Sequence, residues 1–143
     1  MKDKMKIALV IHEVSEKGGQ ERSAFEWCRY LCLQGHEVHL FARSAAPEMK
    51  KWFGFYFHRV PCIDRPFLLR GLTFFLAASF MLIRHQKKFS VIHTNGAVAW
   101  PYDITTCQFC HTAWNRFEKI LPHATGRFHH FYHRFFTRWN SWL

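Results

Sequence analysis

The pattern of hydrophobic and polar residues near the start of the chain predicts a strand, a glycine turn, a helix and a second strand. An apolar run at Lys6–His12 leads into a short loop that ends in Gly18 and Gly19. Helical periodicity follows over Gln20–Gln34, and a second apolar run covers Glu37–Arg43. Such a unit builds parallel sheets and places a helix N-terminus beside the carboxyl edge of the sheet. The residues expected on the apolar stripe of this helix are Ala24, Phe25, Trp27, Cys28, Leu31 and Cys32.

The rest of the chain repeats this alternation of strands and helices. Apolar runs at Phe55–Val60 and Phe89–Gly96 predict strands, and the β-branched segment Asp103–His111 predicts another. Between the first two lies Phe67–His85, a long apolar segment that follows a proline and has the length of a helix. From Arg127 onward, aromatic residues again recur at helical spacing. This order predicts an α/β fold with a mostly parallel sheet and flanking helices, in one domain over residues 1–143.

We expect no segment of the chain to cross a membrane or to direct export. The stretch Gly71–Ile83 is uncharged but shorter than the roughly 20 residues that a span needs. The first apolar run is also short and is closely followed by Glu13 and Glu16, unlike a signal peptide. An odd number of cysteines, 5, fits reduced thiols better than a disulfide framework. These features predict a cytoplasmic protein, either free or peripheral on the inner face of the membrane.

The composition indicates a folded domain with an anionic partner. Apolar residues make up 49% of the chain, and 16 Phe with 6 Trp argue against disorder. Lys and Arg number 20 against 10 acidic residues, which gives a net charge of +10. A nucleic acid, a phosphorylated sugar or an acidic membrane surface would each complement this charge, whereas ordinary solubility is the alternative explanation. No helix-turn-helix, RNP or KH signature is present, so we do not expect nucleic acid as the partner.

Four segments, in this order, resemble the N-terminal domain of family 4 glycosyltransferases of the GT-B type. They are GGQER at Gly18–Arg22, QGHEVHLFAR at Gln34–Arg43, FSVIHTNG at Phe89–Gly96 and DITTCQFCHTAW at Asp103–Trp114. The resemblance extends over most of the chain between Lys6 and Trp114. It implies a Rossmann-like sheet that forms an incomplete N-terminal half of a GT-B fold.

The resemblance also implies the activity: transfer of a sugar from a nucleotide-sugar donor to a hydroxyl acceptor, a glycan or a lipid-linked molecule. A role in cell-envelope or lipopolysaccharide synthesis fits this class, and no tightly bound cofactor is expected. In the family the active site lies between two Rossmann-like domains, and the second binds most of the donor. By the resemblance, we expect these 143 residues to lack the nucleotide-sugar-binding domain. We therefore expect this chain alone to transfer no sugar. The alternative function is a small basic module that binds nucleic acid or a membrane surface.

The glycine pair is the first candidate site. Gly18 and Gly19 precede the predicted helix, whose first N–H groups are unpaired and attract phosphate. By the resemblance, this loop approaches the phosphates of the donor, and Arg22 is a candidate for contacting them. The alternative is that the glycines form a plain tight turn and that Arg22 is a surface residue.

Two further candidates lie at predicted strand ends. Asn95 and Gly96 end a strand at the carboxyl edge of the sheet, where α/β proteins bind ligands, which makes them weaker candidates for the acceptor cleft. The resemblance implies that His111 contacts the transferred sugar or the acceptor. We assign His111 positioning and proton handling, because retaining members of the family lack a clear protein nucleophile. A histidine bonded to a backbone carbonyl is the alternative.

The sequence predicts no metal or haem site. Cys107–His111 spells the CxxCH haem-attachment pattern, but the segment has the character of a strand and no export signal precedes it. Zinc is not expected because a second cysteine pair is missing, although His129, His130 and His133 lie farther along the chain.

The C-terminal segment carries an aromatic stripe with two interpretations. It faces either an anionic membrane surface or, as we favour, a protein core. Its members are Phe128, Phe131, Phe135, Trp139 and Trp142.

Overall fold

The computed structural model describes residues 3–107, apart from the side chains of residues 67 and 68. In chain order, its elements are β1 (Lys6–Val10), β2 (Glu13–Val14), α1 (Gln20–Leu33), β3 (Glu37–Ala42), β4 (Ser44–Ala45), a 3₁₀ turn (Pro47–Lys51), β5 (Phe55–Arg59), α2 (Phe67–His85), a second 3₁₀ turn (Gln86–Lys88), β6 (Val91–Asn95) and β7 (Ile104–Thr106). Residues 3–106 belong to one compact unit.

The strands form a five-stranded sheet in the order β5–β3–β1–β6–β7, and every neighbouring pair is parallel. The chain moves outward from β1 to β3 and β5, and α2 then carries it across the sheet to β6. The predicted Rossmann-like α/β fold is therefore confirmed. β2 and β4 pair separately as a short parallel ribbon, in a region that carries no strand signal in the sequence because each has only 2 residues.

Two apolar layers cover the two faces of the sheet, because neighbouring residues of a strand point to opposite sides. One layer contains Leu9, Val38 and Leu40 of the sheet, packed against Ala24, Phe25 and Cys28 of α1. The other contains Ala8, Val10 and Phe41, packed against Phe74, Ala78 and Leu82 of α2.

Trp27, which was expected on the apolar stripe of α1, does not pack into the core. Its side chain is 53% exposed, and its ring centroid lies 5.4 Å from that of His93 on β6. The cause is that α1 packs over β1 and β3, whereas Trp27 lies on the edge of the helix that is turned toward β6. Leu31 and Cys32 are half-buried against the core, as the pattern predicted.

Glycine sets the end of α1. Gly35 has φ +83°, a conformation that favours glycine. Its N–H donates to the carbonyl of Cys32 (3.0 Å), and the N–H of His36 donates to that of Leu31 (3.1 Å). This pair of hydrogen bonds is a Schellman motif, which satisfies the last carbonyls of the helix and turns the chain into β3.

Several predictions lie outside the described residues, among them His111, the CxxCH pattern beyond Cys107 and the C-terminal aromatic helix. Within residues 3–107, no helix is long and apolar enough to cross a membrane. Cys28, Cys32 and Cys62 carry free thiols. The cytoplasmic location and the one-domain organisation stay predictions.

Candidate functional site

The candidate site lies at the carboxyl edge of the sheet, where the loops after β1, β3 and β6 meet. The chain leaves β1 for α1 on one face of the sheet and enters β6 from α2 on the other face. Ligands of open α/β sheets bind in the crevice that opens where the strand order diverges in this way. Here the crevice lies between the carboxyl end of β1, at Val10, and the carboxyl end of β6, at Asn95.

The N-terminus of α1 has free hydrogen-bonding capacity at this edge. Gly19 is the N-cap residue, with φ −93° and ψ −65°, and no side chain caps the helix. The first intrahelical bond runs from the N–H of Ser23 to the carbonyl of Gly19 (3.0 Å). The N–H groups of Gln20, Glu21 and Arg22 therefore precede the hydrogen-bonded ladder and can bind an anion.

The two glycines have different structural roles. Gly18 has φ +91°, a backbone conformation that other residues rarely adopt, so the turn itself requires glycine. Gly19 has an ordinary φ, and a Cβ there would meet nothing within 4 Å among the described residues. The fold does not need glycine at position 19, whereas a ligand that approaches the backbone closely would.

Two charged side chains flank this helix end. Glu21 is half-buried in the first turn of α1 and adds a negative charge there. Arg22 is exposed, and no ion pair or hydrogen bond joins its side chain to another residue of the described range. A phosphate at this N-terminus would be repelled by Glu21, so Arg22 is the cation available to compensate.

Asn95 and Gly96 lie at the carboxyl edge, as predicted, where Gly96 forms the turn after β6. Gly96 has φ +79°. Its N–H donates to the carbonyl of Thr106 (3.0 Å), and its own carbonyl accepts from the hydroxyl of Thr105 (3.3 Å). The backbone of Gly96 is thus engaged in joining β6 to β7, which leaves the half-buried amide of Asn95 as the group available to a ligand. Their role in an acceptor cleft stays a prediction.

A charged groove that the sequence analysis missed opens beside the ends of β3 and β5. Its volume is about 730 Å³. In it Arg43 donates two hydrogen bonds, to Glu13 (3.0 Å) and to Asp64 (2.9 Å). These bonds raise the pKa of Arg43 above its ordinary value. Arg59 also lines the groove, and within residues 3–107 its side chain forms no ion pair.

The signal for this groove was present in the sequence. Glu13 and Arg43 follow the first and second predicted strands, and parallel strands end at the same edge. Asp64 gave no such signal, because it joins the cluster across 21 residues of sequence.

His12 stands between the groove and α2. Its ring centroid lies 4.2 Å from that of Phe74, and its carbonyl accepts the N–H of Arg43 (2.9 Å). Burial, followed by the positive charges of Arg70 and Arg43, lowers the pKa of His12 to about 4. The imidazole is therefore neutral at physiological pH, and the positive charge of the site comes from arginines.

No group of three or more His, Cys, Asp or Glu side chains within residues 3–107 is arranged to hold a metal ion. The expectation of no metal stays a prediction. The site contains, instead, groups that suit an anion and a polyol. Its unpaired backbone N–H groups and arginines can bind an anion, and its carboxylates can accept hydrogen bonds from hydroxyl groups.

This fold and this edge define the class, an α/β domain of the type that binds ligands at the carboxyl ends of parallel strands. The family model of Glycosyltransferase Family 4 matches residues 17–143. Because that match covers most of the chain, the protein belongs to this family, as the resemblance implied.

Among solved structures, the chain is similar to WaaG, a glycosyltransferase involved in lipopolysaccharide biosynthesis. The TM-score is 0.65 at 15% sequence identity, and the match covers 78% of this chain and 29% of that one. The chain thus spans less than a third of the WaaG chain. This likeness confirms the Rossmann-like fold as part of a GT-B architecture. No curated protein sequence matches the chain.

Proposed function

We propose that this chain contributes to the transfer of a sugar from a nucleotide-sugar donor to a hydroxyl acceptor in cell-envelope or lipopolysaccharide synthesis. Membership of Glycosyltransferase Family 4 supports the transferase activity. The lipopolysaccharide pathway is suggested by WaaG, which shares the fold and takes part in that pathway. The observation that carries the proposal is the N-terminus of α1, which begins after Gly19 and has no side-chain cap. It lies at the edge of the sheet where the crevice between β1 and β6 opens.

On the donor side, the diphosphate lies against the backbone of Gly18 and Gly19. The N–H groups at the start of α1 donate to its oxygens, and the helix dipole favours its negative charge. Arg22 supplies the compensating cation and offsets the repulsion from Glu21. The open space above Gly19 supports this placement, since a diphosphate needs close access to the backbone.

On the acceptor side, the groove beside Arg43 takes the sugar hydroxyls. The carboxylates of Glu13 and Asp64 accept hydrogen bonds, and Arg59 donates them or pairs with an acidic substituent. Asn95 borders the same edge. His111 retains its proposed role in positioning the acceptor and handling its proton.

We also propose that transfer requires a second, donor-binding domain in addition to these residues, in accord with the 29% of the WaaG chain that the match covers. The purified 143-residue chain should then release no labelled product from a radiolabelled nucleotide-sugar and an acceptor extract. Robust turnover would contradict this part of the proposal.

Phosphate recognition is testable without turnover. Titration of the ¹⁵N-labelled chain with inorganic pyrophosphate should shift the amide signals of residues 19–22. R22A should weaken this binding by about tenfold, the contribution of one charge-assisted contact. The matched control is R29A, which removes another exposed arginine of α1, one whose ion-pair partner within residues 3–107 is Glu26 alone, at 3.9 Å. Shifts elsewhere with none at residues 19–22, or equal effects of the two substitutions, would contradict the proposed donor site.

A further inference from the structure

Within the described residues, α2 is apolar on the side that faces away from the sheet as well as on its core side. Phe74, Ala78 and Leu82 are fully buried against the sheet. On the opposite side, one stripe of large apolar side chains is between 42% and 66% exposed. We call it the outer stripe: Leu69, Leu72, Leu76, Phe80 and Ile83. A helix at a water-facing surface normally carries polar residues at these positions.

Aromatic residues from the loop after β6 extend the outer stripe. The N–H of Trp100 donates to the hydroxyl of Ser79 on α2 at 2.9 Å, which fixes this loop against the helix. Trp100 and Tyr102 are themselves exposed. Trp and Tyr are enriched where one end of a side chain meets lipid and the other meets water.

From Arg65 to Tyr102, the segment that includes the outer stripe, every Lys, Arg, Asp or Glu side chain is basic. Arg65 precedes α2, and Arg84, Lys87 and Lys88 follow the outer stripe at its C-terminal end; all four side chains are exposed. An apolar helix face with basic residues at both ends is complementary to an anionic lipid surface.

We propose that α2 lies flat in the interface of an anionic phospholipid bilayer, with the outer stripe inserted among the acyl chains and the basic residues on the headgroups. The stripe spans 14 residue steps, or about 21 Å of helix. A second copy of the chain fits this face less well, because each helix would bring uncompensated positive charges to the other. The proposal does not depend on sugar transfer.

Vesicle flotation of the purified full chain tests this inference. We expect binding to vesicles of phosphatidylglycerol and phosphatidylcholine, and little binding to vesicles of phosphatidylcholine alone. L76E/F80E should reduce the partition coefficient by about tenfold or more, given the apolar area withdrawn from lipid. The matched control is Y30E/L33E, which adds the same two charges at exposed apolar residues of α1 (59% and 74% exposed) and should bind better than L76E/F80E.

The charge requirement has its own pair of variants. R84E/K87E/K88E should abolish the preference for anionic vesicles, whereas K4E/K17E/K51E makes the same change in net charge at exposed lysines elsewhere and should retain it. Circular dichroism verifies that each variant is folded. Unchanged flotation of L76E/F80E would overturn the proposal and would indicate that another segment binds lipid. A dimer in sedimentation that L76E disperses, without vesicle binding, would overturn it in favour of self-association.

Discussion

Nδ1 of His39 on β3 lies 2.8 Å from Nε2 of His58 on β5. The other nitrogen of His39, Nε2, lies 3.0 Å from a carboxylate oxygen of Glu37. Since a carboxylate only accepts, Nε2 of His39 carries a proton, and a neutral His39 therefore accepts the Nε2–H of His58. A hydrogen bond between the two rings therefore joins β3 to the edge strand β5.

H58F should reduce the acid sensitivity of the fold. Burial, then the charges of His39 and His85, lower the pKa of His58. The folded protein therefore binds fewer protons than the unfolded chain, so this residue's contribution to stability is lost as the pH falls below about 6.5. Phenylalanine keeps the stack on Phe41 without titrating. Urea unfolding should show that the free energy of unfolding falls less between pH 8 and pH 5 in H58F than in the unaltered chain. In the control Y56F it should fall as much as in the unaltered chain.

His12 should make a second contribution to acid sensitivity. Its pKa is lowered from 6.5 to about 4, so the free energy of unfolding decreases as the pH falls through this window, by about 3 kcal/mol at most. H12N does not titrate there, and its stability curve should be flatter between pH 6.5 and 4. Each free energy of unfolding is compared with the value of the same protein at pH 8, which removes the loss of packing that the substitution itself causes. Parallel curves for the two proteins would show that His12 is not the titrating group.

Thr94 should tolerate the loss of its hydroxyl. Its Oγ1 is buried on β6 and has no hydrogen-bond partner among the described residues. T94V keeps the shape and should raise the free energy of unfolding by about 1 kcal/mol, because an unsatisfied buried hydroxyl is removed. The control T73V should lower it by a similar amount, since the hydroxyl of Thr73 donates to the carbonyl of Leu69 (2.6 Å). Destabilisation by T94V would show that the hydroxyl has a partner.

The sequence was sufficient to predict the order of the sheet strands and the bounds of α2, whereas the last strand was predicted at Asp103–His111 and, within the described residues, covers only Ile104–Thr106. A proline before a long apolar segment, and Lys and Arg after it, define Phe67–His85 without reference to the rest of the fold. The fold class followed because strands that alternate with helices allow few arrangements. The glycine pair was also placed correctly, since its position before a helical pattern is a local property.

What the sequence did not predict depends on tertiary partners. The apolar periodicity of α1 does not show which edge of the stripe reaches the sheet, so Trp27 was misplaced. The residues of the outer stripe are as apolar as those of the core, and only the position of the sheet separates the two faces of α2. The groove around Arg43 unites residues from three loops, and nothing in the local pattern around Asp64 indicates that contact.

The two glycines before α1 should respond differently to alanine. G18A forces a side chain into φ +91° and should destabilise the fold by about 1–2 kcal/mol. G19A has an ordinary φ and open space around the new methyl group, so its stability should change by less than about 0.5 kcal/mol. Pyrophosphate binding should nevertheless weaken in G19A, because the methyl group stands between the ligand and the first N–H groups of the helix. Urea unfolding and pyrophosphate titration of both variants separate the two effects. If G19A bound pyrophosphate as tightly as the unaltered chain, the glycine pair would be a turn and nothing more.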